Sequence, residues 1–249
     1  MTSHRSGSGD DPSGVVADWH ELTVDERRAR AIRVVLVGAE STGKTTLVRR
    51  LCEHLRTRGP GTRRMGDRGR RRADSVESGW ADSTWVPEVG RQYTLDRLAE
   101  LRHAATVAGE PPPTVDDLTW TSPHFVAIAN AQNAEEDAAA GRGGPVLICD
   151  TDAFATGIWH ERYCDATSPE VDRLARHHPL YLVPHPDDVP FTQDGIRDGE
   201  HLRRWMHDRF VERLSATGRP FVVLRGDRAA FEHHAIEAIA SVVPQRLRE

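Results

Sequence analysis

Lysine is nearly absent from this chain: of 33 Lys and Arg residues in 249, a single one is Lys, at position 44. Cysteine is scarce as well. Cys52, Cys149 and Cys164 are odd in number and follow no metal or redox spacing, which excludes a paired disulfide framework and a Cys-rich zinc site. Reduced thiols in a cytoplasmic protein are the expectation. No apolar run approaches the length needed to cross a bilayer, and Met1 to Asp18 has no apolar core of the signal-peptide kind. No membrane partner is therefore expected. Positive charge is not in excess: the net charge is −5, which argues against a general nucleic-acid binder. What remains is a moderately hydrophobic, highly charged chain, long enough for one domain with extensions.

The lone lysine stands in Gly38-Ala39-Glu40-Ser41-Thr42-Gly43-Lys44-Thr45, which fits the phosphate-binding pattern G-x-x-x-x-G-K-[ST]. A compositional bias towards Arg does not explain why this site escaped it. Arg is a wide planar fork; Lys is a compact point charge on a flexible stem, and only the latter fits inside a loop wrapped around a phosphate. Before the loop, Arg33 to Val37 is a β-branched apolar run that reads as a buried parallel strand. After it, Leu47, Leu51 and Leu55 recur at helical spacing over Lys44 to Arg56. The motif thus has its required strand–loop–helix context. The bland alternative is a chance match in a Gly-rich turn. On the functional reading, ATP is cradled by Gly38, Glu40, Ser41, Thr42, Gly43, Lys44, Thr45 and Thr46, whose backbone N–H groups open a helix. Lys44 bridges the β- and γ-phosphates, and the Thr45 hydroxyl ligates Mg²⁺.

Residues 1–30 read as an N-terminal extension. Its first 18 residues are rich in Ser, Gly and Asp and expected to be disordered, and 19–31 suit a short helix with Thr23 as a possible N-cap. Residues 31–244 read as the P-loop domain. Segment 58–82, with Gly59, Gly61, Gly66, Gly69 and Arg70-Arg71-Arg72, reads as an insertion, either a solvated loop or a phosphate-binding arm. Strands are expected at Thr84–Pro87, Pro145–Asp150, Leu180–Val183 and Phe221–Leu224. Helices are expected at Val89–Val107, Pro123–Ala140 (Ser122 at the N-cap, Pro123 at N1), 201–215 and 229–242. Strands alternating with helices predict an α/β fold, a doubly wound five-stranded parallel sheet with helices on both faces.

Carboxylates fall at the ends of the expected strands. Asp150 closes strand three and is placed to hold the metal, or else only caps a helix starting near Thr151; Asp152 follows it. Glu88 ends strand two, where a carboxylate accepts a proton from a substrate hydroxyl, and Arg91 binds the acceptor or the transferring phosphoryl group. The alternative is a Glu favoured by the helix macrodipole with a solvated Arg partner. Phe125, Ile128 and Gln132 share one helix face, which either stacks on and hydrogen-bonds a base or is simply core. Segment 185–204 carries Asp187, Asp188, Asp194, Asp198, Arg197, Arg203 and Arg204. It reads as a lid whose arginines close over the phosphates, or as a charged surface loop.

With these residues in view, the chain resembles the ribosylnicotinamide kinase domain of NadR-type proteins, from about Arg33 to Val243. The likeness runs in order through G-A-E-S-T-G-K-T-T (Gly38–Thr46), W-V-P-E-x-G-R-x-Y (Trp85–Tyr93), the helix around Ile128-Ala129 with Gln132, C-D-T-D (Cys149–Asp152) and D-V-P-F-x-x-D-G-x-R (Asp188–Arg197). The resemblance implies a nucleoside/nucleotide kinase-like fold and transfer of the ATP γ-phosphate to the 5′-hydroxyl of nicotinamide riboside. Glu88 and Arg91 then belong to the acceptor site, Asp150 serves the metal or the hydroxyl, and Arg197 belongs to the lid. Phe125, Gln132 and Asp152 complete the expected acceptor contacts, and the catalytic set is Lys44, Glu88, Asp150 and Arg197. Two positions depart from the pattern: Val89 stands where Tyr is common and Phe191 where Trp is common. Three readings follow: a nicotinamide riboside kinase, a kinase for another nucleoside or small metabolite, and an ATP-binding regulatory NTPase.

Overall fold

The computed structural model describes residues 18–59, 80–195, 197 and 199–246. The Arg-rich run within segment 58–82 and nearly all of the expected disordered tail lie outside the described residues. Five parallel strands, β1 (Ile32–Leu36), β2 (Thr84–Val86), β3 (Val146–Asp150), β4 (Leu180–Pro184) and β5 (Phe221–Leu224), stand in the order β2-β3-β1-β4-β5. The helices among the described residues are α1 (Val24–Arg30), α2 (Lys44–Arg58), α3 (Val89–Ala108), α4 (Ser122–Arg142), α5 (Ala153–Cys164), α6 (Pro169–Leu174), α7 (Arg203–Ala216) and α8 (Arg228–Arg246). None of them is long and apolar enough to cross a membrane.

Both sheet faces are covered, which is why the central strands read as continuous apolar runs rather than alternating ones. Ile32, Val34 and Leu36 of β1 face α2 and α8. Val35 and the following Val37 face α4, α5 and α7 with Leu147, Cys149, Tyr181 and Val183. Arg33 shares that second face without an apolar partner. It is tolerated there because Asp137 accepts from its Nη2 at 2.9 Å, with Glu136 also nearby.

The register aligns the carboxyl ends of the first three strands. Leu36 is paired with Asp150, and Val86 with Cys149. The phosphate loop, Pro87-Glu88 and Asp150-Thr151 therefore emerge side by side at one edge of the sheet, where such folds bind ligands.

Local sequence accounts for most boundaries. Thr23 caps α1 in a reciprocal box: Glu26 N–H donates to its hydroxyl at 3.3 Å, and Thr23 N–H donates to the Glu26 carboxylate at 2.8 Å. Ahead of it, a 3₁₀ turn (Asp18–Glu21) buries Trp19, whose Nε1 donates to the Gly143 carbonyl at 2.9 Å. This part of the N-terminal extension is thus packed on the domain. The N-cap of α4 is Thr121, not Ser122. The Ser122 hydroxyl is instead engaged by His160 Nε2 at 2.8 Å. Between β3 and β4, helix α5 had been raised only as an alternative, starting near Thr151, and α6 was not expected. Both start on side-chain caps, Asp152 to Ala155 N–H (2.9 Å) and Ser168 to Val171 N–H (3.4 Å).

Candidate active site

The phosphate loop turns through conformations that its residues permit. Gly43, the N-cap of α2, has φ 82°, and Ser41 has φ 56°. The Lys44 side chain is buried within the loop and its Nζ donates to the carbonyls of Gly38 (2.9 Å) and Ala39 (2.8 Å). The Thr42 hydroxyl is also internal and donates to Ala39 O at 3.0 Å. A planar guanidinium does not fit between two carbonyls of one turn, which gives the single lysine its physical reason.

Asp150 lies at the foot of this loop, 1% exposed. Its Oδ2 accepts from the Thr45 hydroxyl at 2.5 Å, while its Oδ1 is buried without a hydrogen-bond partner among the described residues. Burial raises its pKa, against the pull of Lys44 and the Thr45 bond. The alternative role as a helix cap falls away, because Asp152 caps α5. That cap also corrects the expected acceptor contact by Asp152. Its carboxylate is 1% exposed, takes the Ala155 N–H and the Tyr181 hydroxyl (2.9 Å), and does not line the cleft.

Glu88 stands at the N-cap position of α3, where the helix macrodipole favours a carboxylate, and its side chain makes no capping bond. Half-buried, it points into the cleft shared with Lys44 and Asp150. Burial pushes its pKa up to about 7; the neighbouring Asp150 and Glu40 add to the shift, while Lys44 and Arg91 oppose it. A carboxylate with an affinity for protons near neutrality suits proton transfer.

Phe125 and Ile128 line the cleft, but Gln132 of the same stripe does not. Gln132 is 1% exposed; its Oε1 accepts the Val89 N–H at 3.1 Å and its Nε2 donates to Thr151 O at 3.4 Å. Both ends of its amide are bonded to backbone. It pins together the two backbone turns that carry Glu88 and Asp150.

The described residues of segment 185–204 contact the phosphate loop; Asp198, counted among its charges, lies outside the described residues. Thr192 N–H donates to Ser41 Oγ at 2.6 Å, and Gly199 N–H donates to Glu40 Oε2 at 3.0 Å. Arg197 Nη1 donates to Thr192 O at 2.5 Å and approaches Ser41 Oγ at 3.4 Å. Arg91 pairs with Asp194 of this segment at 2.6 Å. The root is tied to the loop after β5, where Asp188 accepts from Gly226 N–H (2.8 Å) and Arg225 Nε (2.9 Å). Of the three arginines expected over the phosphates, Arg197 alone lines the cleft. Arg203 is consumed by the carbonyls of Pro186 (2.7 Å) and Val189 (3.0 Å), and Arg204 pairs with Asp187 at the surface.

Several lining residues escaped sequence reasoning. Trp120, Trp159 and Tyr163 join Phe125 in an aromatic wall of the cleft; Trp120 lies 5.4 Å from both Phe125 and Tyr163, centroid to centroid. Trp159 and Tyr163 are one turn apart on α5, a signal readable only once that helix is recognised. Arg49, stacked on Trp85 at 5.3 Å, also lines the cleft. The whole cleft holds about 750 Å³.

A strand–loop–helix with one buried lysine, set in a β2-β3-β1-β4-β5 parallel sheet with a carboxylate on the neighbouring strand, defines a P-loop NTPase fold. The profile of the AAA domain family matches residues 33–230, and the chain belongs to that family. In fold it is similar to a solved NadR protein in complex with NR (TM-score 0.59, 21% identity, covering 94% of this chain and 56% of that one). A second solved NadR protein, in complex with NAD and AMP-PNP, compares equally (TM-score 0.59, 20% identity, 94% and 55%). The chain thus spans little more than half the length of these structures. No curated protein matches the sequence.

Proposed function

We propose that this protein is an ATP-dependent kinase that transfers the γ-phosphate to the 5′-hydroxyl of nicotinamide riboside. The observation that carries the proposal is convergence. The phosphate loop, the Thr45–Asp150 pair, Glu88 and the aromatic wall all open into one cleft. Nicotinamide riboside carries a pyridinium ring, and a cationic aromatic ring is favoured by stacked Trp, Tyr and Phe faces with carboxylates nearby. Glu88 and Glu135 supply those carboxylates. The NR and AMP-PNP bound by the two NadR proteins of like fold point the same way.

In this reading the loop N–H groups and Lys44 hold the triphosphate. Glu88 takes the proton of the attacking hydroxyl, and Arg91 and Arg197 offset charge on the transferring group. The lid excludes water so that the phosphoryl group reaches the substrate. The donor set fits a hard divalent cation: a hydroxyl bonded to a carboxylate whose second oxygen is buried and unpartnered. Mg²⁺ held there by Thr45 and Asp150 supplies charge neutralisation.

One feature favours another nucleoside as acceptor: Val89, at the cleft, offers no aromatic face. The test is ADP release with Mg·ATP against a nucleoside panel that includes nicotinamide riboside, with Lys44→Ala as control. Stimulation by nicotinamide riboside that is lost in the variant supports the proposal. Stimulation by a different nucleoside moves the acceptor, and no stimulation by any compound rejects a nucleoside kinase.

A further inference from the structure

A carboxylate inside a phosphate-binding loop is an electrostatic problem, because its charge repels the triphosphate the loop must hold. Glu40 occupies that place, and its side chain is only 12% exposed. Among the described residues, two groups engage it. Gly199 N–H, from the lid, donates to Oε2 at 3.0 Å, and Arg162 Nη1, from α5, lies 3.4 Å from Oε1. The Arg162 side chain is 2% exposed, more deeply buried than the acid it faces. Its guanidinium also lies over the rings of Trp159 (5.0 Å) and Tyr163 (4.8 Å), both of which line the acceptor side of the cleft. The lid packs closely here: a Cβ at position 199 would stand 2.5 Å from Arg162 Nη2, so a side chain there would displace the guanidinium. One side chain thus touches the phosphate loop, the closing segment and the aromatic wall.

We propose that Arg162 is a positioning residue. It neutralises Glu40 and holds it away from the bound phosphates, and it fixes Trp159 and Tyr163 in the same arrangement. The phosphate loop, the lid and the acceptor wall are then set by one ion pair. Only the acceptor arm rests on the kinase reading above; the pair itself does not.

The decisive test is rescue. Arg162→Met leaves Glu40 charged and free to face the triphosphate, so AMP-PNP affinity should fall about tenfold, the scale of one new like-charge contact. Glu40→Gln in the same chain removes that charge, and the double variant should recover to within about threefold of wild type on the same reasoning. A role in packing alone predicts no recovery, and a double variant that binds as weakly as Arg162→Met overturns the proposal. Melting of the ligand-free variants supplies an arm that needs no substrate. Each single change removes the attraction between Glu40 and Arg162, so the double variant should be less destabilised than the two singles summed; additivity overturns the pairing. If Arg162→Met does not fold alone, Arg162→Lys takes its place. It keeps the charge but not the planar fork, and should hold AMP-PNP affinity while raising the acceptor KM. A wild-type protein that does not bind AMP-PNP sinks the kinase reading, and the melting cycle still decides the pair.

Discussion

Replacing Gln132 by Leu tests whether Glu88 and Asp150, the carboxylates of the proposed mechanism, are spaced by the backbone beneath them. Leu preserves the approximate volume and burial of a residue that is 1% exposed, but removes both clamps, the 3.1 Å bond from Val89 N–H and the 3.4 Å bond to Thr151 O. The first is a well-formed bond of about 1 kcal/mol net; the second is long and weaker, and each backbone group left without a partner adds to the cost. A loss of roughly 2–3 kcal/mol follows, or about 5–10 °C in melting temperature for a domain of this size. The effect on turnover should be larger in proportion. Glu88 and Asp150 each sit one residue before the clamped groups, so releasing the clamp lets their separation drift. A misplacement on the order of 1 Å costs about 100-fold in rate. Nucleotide affinity should change little, because the phosphate loop is not held by Gln132. The assay is steady-state phosphoryl transfer alongside AMP-PNP titration and thermal melting. If Gln132→Leu melts lower yet keeps kcat within about threefold, Gln132 is structural only and the positioning argument is wrong.

Two further outcomes follow from the titrating groups. Glu88 accepts a proton only when ionised, and burial places its pKa at about 7, so kcat/KM should rise with pH through neutrality. Glu88→Gln should lower turnover by about 100-fold or more and abolish that rise; a variant with an unchanged pH profile would remove Glu88 from the mechanism. Glu136 is fully buried and its pKa is raised to about 8, chiefly by burial and then by Asp152, against Arg33 and Arg176. Those cations stand 3.6 and 3.9 Å away, and His178 3.7 Å, too far for the bonds that repay burial of a charge. A raised carboxyl pKa means the folded state holds the proton more tightly, so its contribution is full below the ordinary 4.5 and is lost as pH climbs towards 8. The slope is at most about 1.4 kcal/mol per pH unit. Glu136→Gln should flatten the melting profile over that window and raise the melting temperature at pH 8; a lower one there would mean that the ionised pair with the arginines is stabilising.

The scaffold of the site was legible where its information is local. Strand β1 reads as a continuous apolar run because both faces are covered, and the loop after it is marked by one lysine in a sequence that otherwise uses arginine. Glu88 and Asp150 were readable because Asp150 ends β3 and Glu88 follows β2 by two residues, and parallel pairing brings such strand ends to one edge. The resemblance to NadR-type domains carried the same reading as far as fold. Side-chain roles on helices were less legible. Phe125 and Gln132 share a stripe, but Phe125 lines the cleft while Gln132 is bonded to backbone. Helix α5 entered only as an alternative start near Thr151, so Trp159, Arg162 and Tyr163 were not singled out.

The sequence by itself thus determined the sheet, the phosphate loop and the pair of carboxylates at its edge, because hydrophobic period and loop chemistry are written in consecutive residues. Only the tertiary structure decided that Asp152 caps a helix instead of meeting substrate, that Gln132 clamps two turns, and that Glu40 is held by Arg162 and the lid. Those roles depend on which way a side chain points after distant segments have packed, and no local pattern encodes that direction.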